Sequence, residues 1–129
     1  MRILGIGVDI IDNKRIHTLK DNKNFIRRTF GKNELKLSRN IKNRTNFFAK
    51  RFAAKESFSK SIGTGFRNNL KFKDVEILND KLGKPFFSKS KKIDKIISKK
   101  FDIKNYDLFL SISDEKDYSI AFTILFKKW

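Results

Sequence analysis

The chain contains no cysteine, and its 129 residues include only one proline, one histidine and one methionine. Without cysteine, disulfide bonds and thiolate metal ligands are excluded. No apolar run approaches about 18 residues, so the sequence predicts no transmembrane helix. The strand-like N-terminus carries Asp9 and Asp12, which does not fit a signal peptide. We therefore expect a cytoplasmic protein with no membrane partner.

The most prominent feature of the composition is its excess of positive charge. Lysine and arginine number 31 against 14 acidic residues, which gives a formal net charge of +17. Such a charge raises the possibility of nucleic-acid binding. The lysines, however, are scattered from end to end, and the 14 phenylalanines follow core spacing rather than the paired platforms of single-strand binders. We expect no nucleic-acid partner, and a nucleic-acid-binding module remains an alternative.

The order of predicted elements indicates a single α+β domain over residues 1–129. Hydrophobic periodicity and turn residues mark the elements. We predict strands at 2–11, 72–78, 85–88, 107–113 and 117–127, and helices at 12–20, 24–30, 34–37, 43–62 and 90–100. This order predicts a small antiparallel sheet packed on one long helix.

Residues 51–60 (RFAAKESFSK) form the most informative part of the long helix. At about 100° per residue, Glu56 and Lys60 lie one turn apart on the same face. Ala49 and Ala53 share that face, so we expect the backbone there to be open to a ligand. A carboxylate and an ammonium group beside bare helix indicate a site, and the alternative is an ordinary surface ion pair.

Asp9 is the second candidate, because it lies in the apolar strand LGIGVDII. An unpaired aspartate in a buried strand is costly, so it needs a cation, a donor or the edge of a site. Asp9 or Asp12 could instead cap the following helix, a role for which Asp12 is better placed. Asp9 and Glu56 together are plausible ligands of Mg²⁺, which usually takes one or two carboxylates plus substrate phosphates and waters.

The segment GIGVDI at 5–10, with 51–60 and the glycines of GTG at 63–65, resembles the two signatures of the bacterial holo-acyl-carrier-protein synthase family. These proteins are small 4′-phosphopantetheinyl transferases. Weaker matches follow in the right order at 25–30 with Glu34, at 83–85 and at 110–114. The resemblance implies Mg²⁺-dependent transfer of 4′-phosphopantetheine from coenzyme A to a serine of apo acyl carrier protein, in support of fatty acid biosynthesis. It also implies a homotrimer with active sites at the subunit interfaces.

The resemblance further implies roles for individual residues. Asp9 and Glu56 would hold Mg²⁺ against the pyrophosphate of coenzyme A, with Glu56 or a metal-bound water as the base. Lys60 would bind the phosphates and assist the leaving 3′,5′-ADP. Further contacts with coenzyme A are expected from Arg51, Lys55, Ser59, Gly63, Gly65, Lys84 and Pro85.

Several of these residues have a structural alternative. Lys55 could be a snorkelling side chain at a subunit interface. Gly63 and Gly65 could simply stop the helix. Lys84 and Pro85 could form an ordinary turn before a strand.

Acyl carrier protein is the expected protein partner, docked on the first helices. Acyl carrier proteins are acidic and coenzyme A carries three phosphate groups, so a positive field would speed both encounters. Arg15, Arg27 and Arg28 are expected opposite the acidic helix of the carrier, because a guanidinium group binds carboxylates bidentately. The alternative is a solvated basic face.

Two positions depart from the family pattern. Phe109 stands where the family often has histidine or tryptophan, so it keeps the bulk and loses a hydrogen-bond donor. Gly31 stands where serine or threonine would cap the third helix, so we expect that helix end to fray. An inactive relative is the last alternative, although the acidic and basic site residues are all retained.

Overall fold

The structure is a computed structural model that describes residues 1–67 and 69–129. Its elements are β1 (Arg2–Asp12), α1 (Asn13–Leu19), α2 (Lys23–Thr29), α3 (Lys32–Ser38), α4 (Arg44–Ile62), a 3₁₀ turn (Phe72–Asp74), β2 (Ile77–Asn79), β3 (Pro85–Phe87), α5 (Lys91–Phe101), β4 (Tyr106–Asp114) and β5 (Tyr118–Lys127). The predicted α+β class is confirmed.

The main sheet is antiparallel, with β5 between β1 and β4. Within it, Asp9 of β1 lies opposite Ala121 of β5. The long helix α4 packs across one face of this sheet and contacts β1 and β5 most extensively. Phe48 and Phe58 of α4 are completely buried in the core. One long helix therefore covers a small antiparallel sheet, as predicted, and β2 and β3 form a separate two-stranded sheet.

Two glycines of β1 let the strand lie unusually close to α4. A β-carbon on Gly5 would overlap the carbonyl oxygen of Ser61, and one on Gly7 would overlap that of Ser57. Side chains alternate between the faces of a strand, so Asp9 is the next residue toward the helix after Gly7. The close approach thus places the Asp9 carboxylate against the last turns of α4.

The opposite face of the main sheet is apolar and exposed. Large side chains of β1, β4 and β5 are 39–59% exposed there: Ile6, Val8, Ile10, Phe109, Ile120 and Phe122. Scattered apolar residues on a surface are ordinary, whereas a contiguous patch marks an interaction surface. Among the described residues, no helix is both long and apolar enough to cross a membrane.

The strand predicted over 72–78 is wrong in its first half. Phe72–Asp74 form a 3₁₀ turn, and the strand begins only at Ile77. The Lys55 ammonium group donates to the carbonyl oxygens of Phe72 and Val75, and the Asp74 carboxylate accepts from the Lys71 backbone amide. Side chains therefore occupy backbone groups that a strand would use for pairing.

Helix α3 begins without the fraying expected from Gly31. The distant Glu76 carboxylate accepts hydrogen bonds from the backbone amides of Asn33 at 2.8 Å and Glu34 at 3.0 Å. The Glu34 side chain accepts from the Gly31 amide at 3.0 Å. A β-carbon at position 31 would lie only 2.5 Å from the Glu76 side chain, so glycine makes room for this long-range cap.

Candidate active site

Asp9 and Lys60 meet where β1 crosses the C-terminal turns of α4. The Lys60 Nζ lies 3.2 Å from the Asp9 Oδ1 and donates to the Val8 carbonyl oxygen at 3.0 Å. The Asp9 side chain is largely buried, with 17% of its surface exposed, whereas that of Lys60 is 54% exposed. Among the described residues, Lys60 pairs with Asp9 and not with Glu56, so the alternative of a simple Glu56–Lys60 surface pair fails.

Glu56 lies half-buried beside this pair, and its surroundings oppose its ionisation. Burial raises the pKa of Glu56 above the ordinary value of glutamate, and the Asp9 carboxylate raises it further. Lys60 and Arg15 lower the pKa in part. Two carboxylates that repel each other at one site favour a bound cation or proton between them. This donor set matches the preference of Mg²⁺ for one or two carboxylates together with substrate oxygens.

An open cleft of about 620 Å³ adjoins Glu56. Its walls carry four basic side chains, of which Arg15 comes from α1, Arg28 from α2, and Lys71 and Lys73 from the segment after α4. Aromatic rings line the space between the walls: Phe25, Phe52, Phe66 and Phe72. A cleft of this kind accepts a ligand that is apolar in the middle and anionic at its edges.

The expectation that Ala49 and Ala53 leave the helix open to a ligand is wrong. Both alanines are fully buried. Helix α4 lies so close to β1 that a β-carbon at Gly7 would overlap the helix backbone. Small residues on α4 suit such a close contact. The ligand-accessible part of the helix is instead the side toward the cleft, which carries Glu56.

The prediction that Lys55 contacts coenzyme A finds no support in the folded chain. Its side chain is completely buried, and its Nζ lies 2.7 Å from the Glu34 Oε1. It also donates to the carbonyl oxygens of Phe72 at 2.9 Å and Val75 at 2.5 Å. An ammonium group has three protons, so no donor is left for a phosphate. Burial lowers the pKa of Lys55, and the Glu34 carboxylate opposes that effect.

Arg51 and Ser59 are likewise engaged inside the chain, and their contacts with coenzyme A stay a prediction. The Arg51 guanidinium donates to the Ile77 carbonyl oxygen at 3.2 Å and to the Asn79 Oδ1 at 2.7 Å. Burial lowers its pKa to about 10. The Ser59 hydroxyl donates to the backbone carbonyl of Glu56 at 3.2 Å and is almost fully buried.

The other predicted contacts lie at the surface. Gly63 ends α4 with φ of 83° and Gly65 follows with φ of 68°, a region that favours glycine. Lys84 is exposed and Pro85 begins β3. Among the described residues that line the cleft, none of these four appears.

The three docking arginines separate into two groups. Arg15 and Arg28 line the cleft, and the Arg15 guanidinium lies 5.4 Å from the centroid of the Phe52 ring. Arg27 donates to the Asn24 side chain at 3.0 Å and lines a different groove. Sequence reasoning missed Lys71 and Lys73, although two lysines that flank a phenylalanine in a polar segment were a visible signal.

Comparison with known proteins gives a consistent result. The model of the 4′-phosphopantetheinyl transferase superfamily matches residues 5–123. A holo-[acyl-carrier-protein] synthase of Pelagibacter ubique is 59% identical over 128 residues, which cover 99% of this chain and all of the relative. One from Orientia tsutsugamushi is 45% identical and covers 95% of this chain and 96% of the relative.

Solved structures agree with the sequence comparison. The holo-[acyl-carrier-protein] synthase of Neisseria meningitidis superposes with a TM-score of 0.86 at 38% identity, covering 97% of this chain and 99% of that one. The Bacillus anthracis enzyme, solved in complex with CoA (3′,5′-ADP), gives a TM-score of 0.82 at 35% identity over 99% and 100% of the two chains.

Proposed function

The chain belongs to the 4′-phosphopantetheinyl transferase superfamily, and we propose from its site how it carries out the reaction of that family. It transfers the 4′-phosphopantetheine group from coenzyme A to a serine of apo acyl carrier protein and releases 3′,5′-ADP. The observation that carries this proposal is the meeting of Asp9 and Lys60 beside Glu56, which in turn lines a basic and aromatic cleft. We place the enzyme in the cytoplasm, where it serves fatty acid biosynthesis.

Asp9 and Glu56 are the proposed ligands of Mg²⁺. Their carboxylates share one site and repel each other, so a divalent cation would relieve a cost that the folded chain already bears. Bound Mg²⁺ would polarise the pyrophosphate of coenzyme A and neutralise the charge that develops there.

Glu56 is the proposed general base for the acceptor serine. Burial and the neighbouring Asp9 raise its pKa in the metal-free chain, but bound Mg²⁺ would counter the effect of Asp9, so a metal-bound water beside Glu56 is the second candidate for the base. The Glu56 side chain also lines the cleft, so a serine hydroxyl that enters the cleft could reach it.

Lys60 is the proposed contact of the leaving 3′,5′-ADP. Its side chain is more than half exposed, and the partners of its ammonium group are one oxygen of Asp9 and one backbone carbonyl. It could turn toward a phosphate once a bound Mg²⁺ compensates the largely buried Asp9 carboxylate that it now pairs with. Gly63 and Gly65 follow directly after α4, and a β-carbon at Gly65 would meet nothing within 4 Å, so a nucleotide could approach the backbone there. Lys84 and Pro85 remain proposed contacts of its adenine end.

The exposed apolar face of the sheet supports the proposal that the enzyme is a homotrimer. Val8, Ile10 and Phe122 lie on that face with 40–59% of their surface exposed, and burial against a neighbouring subunit would stabilise the assembly. Sedimentation equilibrium tests this proposal. A mass three times the 15.2 kDa of the chain is expected, and a monomer at micromolar concentration would contradict it.

The intact mass of an apo acyl carrier protein tests the proposed reaction. The carrier is incubated with this protein, coenzyme A and Mg²⁺, and parallel samples contain EDTA or the Glu56→Gln variant. We expect the carrier to gain one phosphopantetheine group with the unmodified enzyme and Mg²⁺, and to gain none in EDTA or with Glu56→Gln. The control is Glu115→Gln, an exposed acid of the turn between β4 and β5. Full modification in EDTA, or equal rates for Glu56→Gln and the control, would contradict the proposed metal site.

A further inference from the structure

The cleft beside Glu56 has a basic wall that the docking arginines do not account for. Arg15 and Arg28 lie on the α1–α2 side, whereas Lys71 and Lys73 lie on the side formed by the segment after α4. We propose that Lys71 and Lys73 form a second docking wall for acyl carrier protein, so that the acidic surface around the acceptor serine is held from two sides. This inference rests on the proposed transferase function.

The second wall is anchored to the helix that carries Glu56. The Phe72 ring stacks on Phe52 of α4 at a centroid distance of 5.6 Å and an interplanar angle of 8°. The Phe72 ring also stacks on Phe66 at 3.8 Å and 23°. Lys55, the residue before Glu56, holds the Phe72 backbone carbonyl. Phe72 is thus fixed from its side chain and from its backbone, and the two lysines beside it are presented from a rigid position.

The charges of the cleft specify the kind of ligand. Four cationic side chains line it, and among the described residues Glu56 is the only acidic one that does so. Lys71 and Lys73 are both exposed. Between the two basic walls lie aromatic rings, so the ligand has an apolar part flanked by negative charges. Complementary charge at such a rim speeds association and fixes orientation more than it adds affinity.

Two anionic ligands meet at this site, and the geometry of phosphoryl transfer separates them. The attacking and leaving oxygens lie roughly in line on opposite sides of the phosphorus atom. Lys60 and the glycines after α4 are on the side proposed for the leaving nucleotide. Neither Lys60 nor these glycines line the cleft, whereas Arg15 of α1 and Arg28 of α2, the proposed docking residues of the carrier, do, so we expect the incoming serine to arrive through the cleft. The occupant of the second wall is therefore the carrier protein and not the nucleotide.

Steady-state kinetics with charge-reversed variants test the second wall. Transfer to purified apo acyl carrier protein is measured for Lys71→Glu/Lys73→Glu, with the carrier and coenzyme A varied separately. We expect the KM for the carrier to rise about 3- to 10-fold or more, as for the loss of rim charges, while the KM for coenzyme A stays within about twofold. The conservative variant Lys71→Arg/Lys73→Arg should restore the KM for the carrier.

The matched control is Lys91→Glu/Lys104→Glu, which changes the net charge equally at exposed positions outside the cleft. An equal rise of the carrier KM in this control would mean that only overall charge matters and would overturn the proposal. A rise confined to the KM for coenzyme A would assign the wall to the nucleotide and would also overturn it.

Failure of the transferase function itself would look different. The unmodified enzyme would then leave every carrier unmodified. In that case, direct binding of fluorescently labelled apo carrier still tests the docking wall. We expect Lys71→Glu/Lys73→Glu to bind the carrier more weakly than the control does. Equal binding by the two variants would overturn the docking wall, and circular dichroism confirms that each variant is folded.

Discussion

Replacing Lys55 by methionine distinguishes a structural lysine from one that binds coenzyme A. Methionine keeps an unbranched apolar side chain of similar length and removes only the ammonium group. In the folded chain, the Lys55 Nζ is completely buried and donates to the Glu34 carboxylate and to the carbonyl oxygens of Phe72 and Val75. We therefore expect Lys55→Met to lower stability and to leave the affinity for coenzyme A nearly unchanged.

The expected loss of stability follows from the groups left behind. Glu34 is also fully buried, and its nearest other cation is Arg51, with a nitrogen–oxygen distance of 4.0 Å. Removing one partner of a buried ion pair costs about 3–5 kcal/mol of the free energy of unfolding. The carbonyl oxygen of Val75 also loses a donor, which favours the upper part of that range. For a chain of this length the loss corresponds to a fall in Tm of about 10–20 °C.

Urea unfolding followed by circular dichroism measures the loss, with Lys50→Met on the same helix as the control. Lys50 is only partly buried, and we expect its replacement to cost less than about 1 kcal/mol. The double variant Lys55→Met/Glu34→Gln should recover part of the stability, because a neutral amide does not need a buried cation. The structural role of Lys55 would be refuted by two results together. The unfolding free energy of Lys55→Met would lie within about 1 kcal/mol of that of the unmodified protein, and its KM for coenzyme A would be raised.

The pH dependence gives an independent check on the same variant. Burial raises the pKa of Glu34 in the folded chain, and Lys55 opposes this rise. Without Lys55 the folded-state pKa rises further above that of the unfolded chain. A carboxyl whose pKa is higher in the folded state binds protons more tightly there, so stability falls as the pH rises through this window. The loss of unfolding free energy in Lys55→Met should therefore become smaller as the pH is lowered. A loss that becomes larger at low pH would contradict this account of Glu34.

Two further predictions concern the site itself. Gly7→Ala should destabilise the protein by about 1–3 kcal/mol, because the added β-carbon overlaps the Ser57 carbonyl and forces β1 from α4. Thermal melting measures this against the exposed Ser111→Ala, and equal Tm values would contradict it. In the metal-free protein, Glu56 should titrate above ordinary glutamates, because burial and Asp9 raise its pKa. Carbon-13 NMR with Glu56→Gln as the assignment control measures this, and titration at or below the ordinary value would refute it.

The long helix shows how far the sequence could predict the site. The spacing of Glu56 and Lys60 drew attention to this helix, because a carboxylate and an ammonium group one turn apart are visible in any helical pattern, and the structure places both near Asp9. The sequence predicted that the helix is accessible to a ligand at Ala49 and Ala53, but both residues are fully buried. Helical periodicity assumes one buried and one exposed face. Helix α4 is buried nearly all round by the sheet, the short helices and the segment after it, so periodicity carried little information.

Lys55 shows what local patterns cannot reveal. Its place in the apolar arc of the helix was unusual for a surface lysine, which pointed to a special role. Its partners Glu34, Phe72 and Val75 are 17 to 21 residues away along the chain. The same interactions replace the first half of the predicted strand at 72–78 with a turn. Long-range hydrogen bonds of one side chain thus determine both the burial of Lys55 and the turn at 72–74. Neither propensity nor periodicity encodes such interactions.

The register of β1 ties the active site to the opposite face of the sheet. Gly5, Gly7 and Asp9 face α4, whereas Val8 and Ile10 face outward with more than half of their surface exposed. A slip of one residue would move every side chain of the strand to the other face. It would place Val8 where only glycine fits against Ser57 and would turn Asp9 away from Lys60. The close approach that only glycine permits therefore fixes the position of the Asp9 carboxylate, and it turns Val8 and Ile10 toward the apolar face that we propose as the subunit interface.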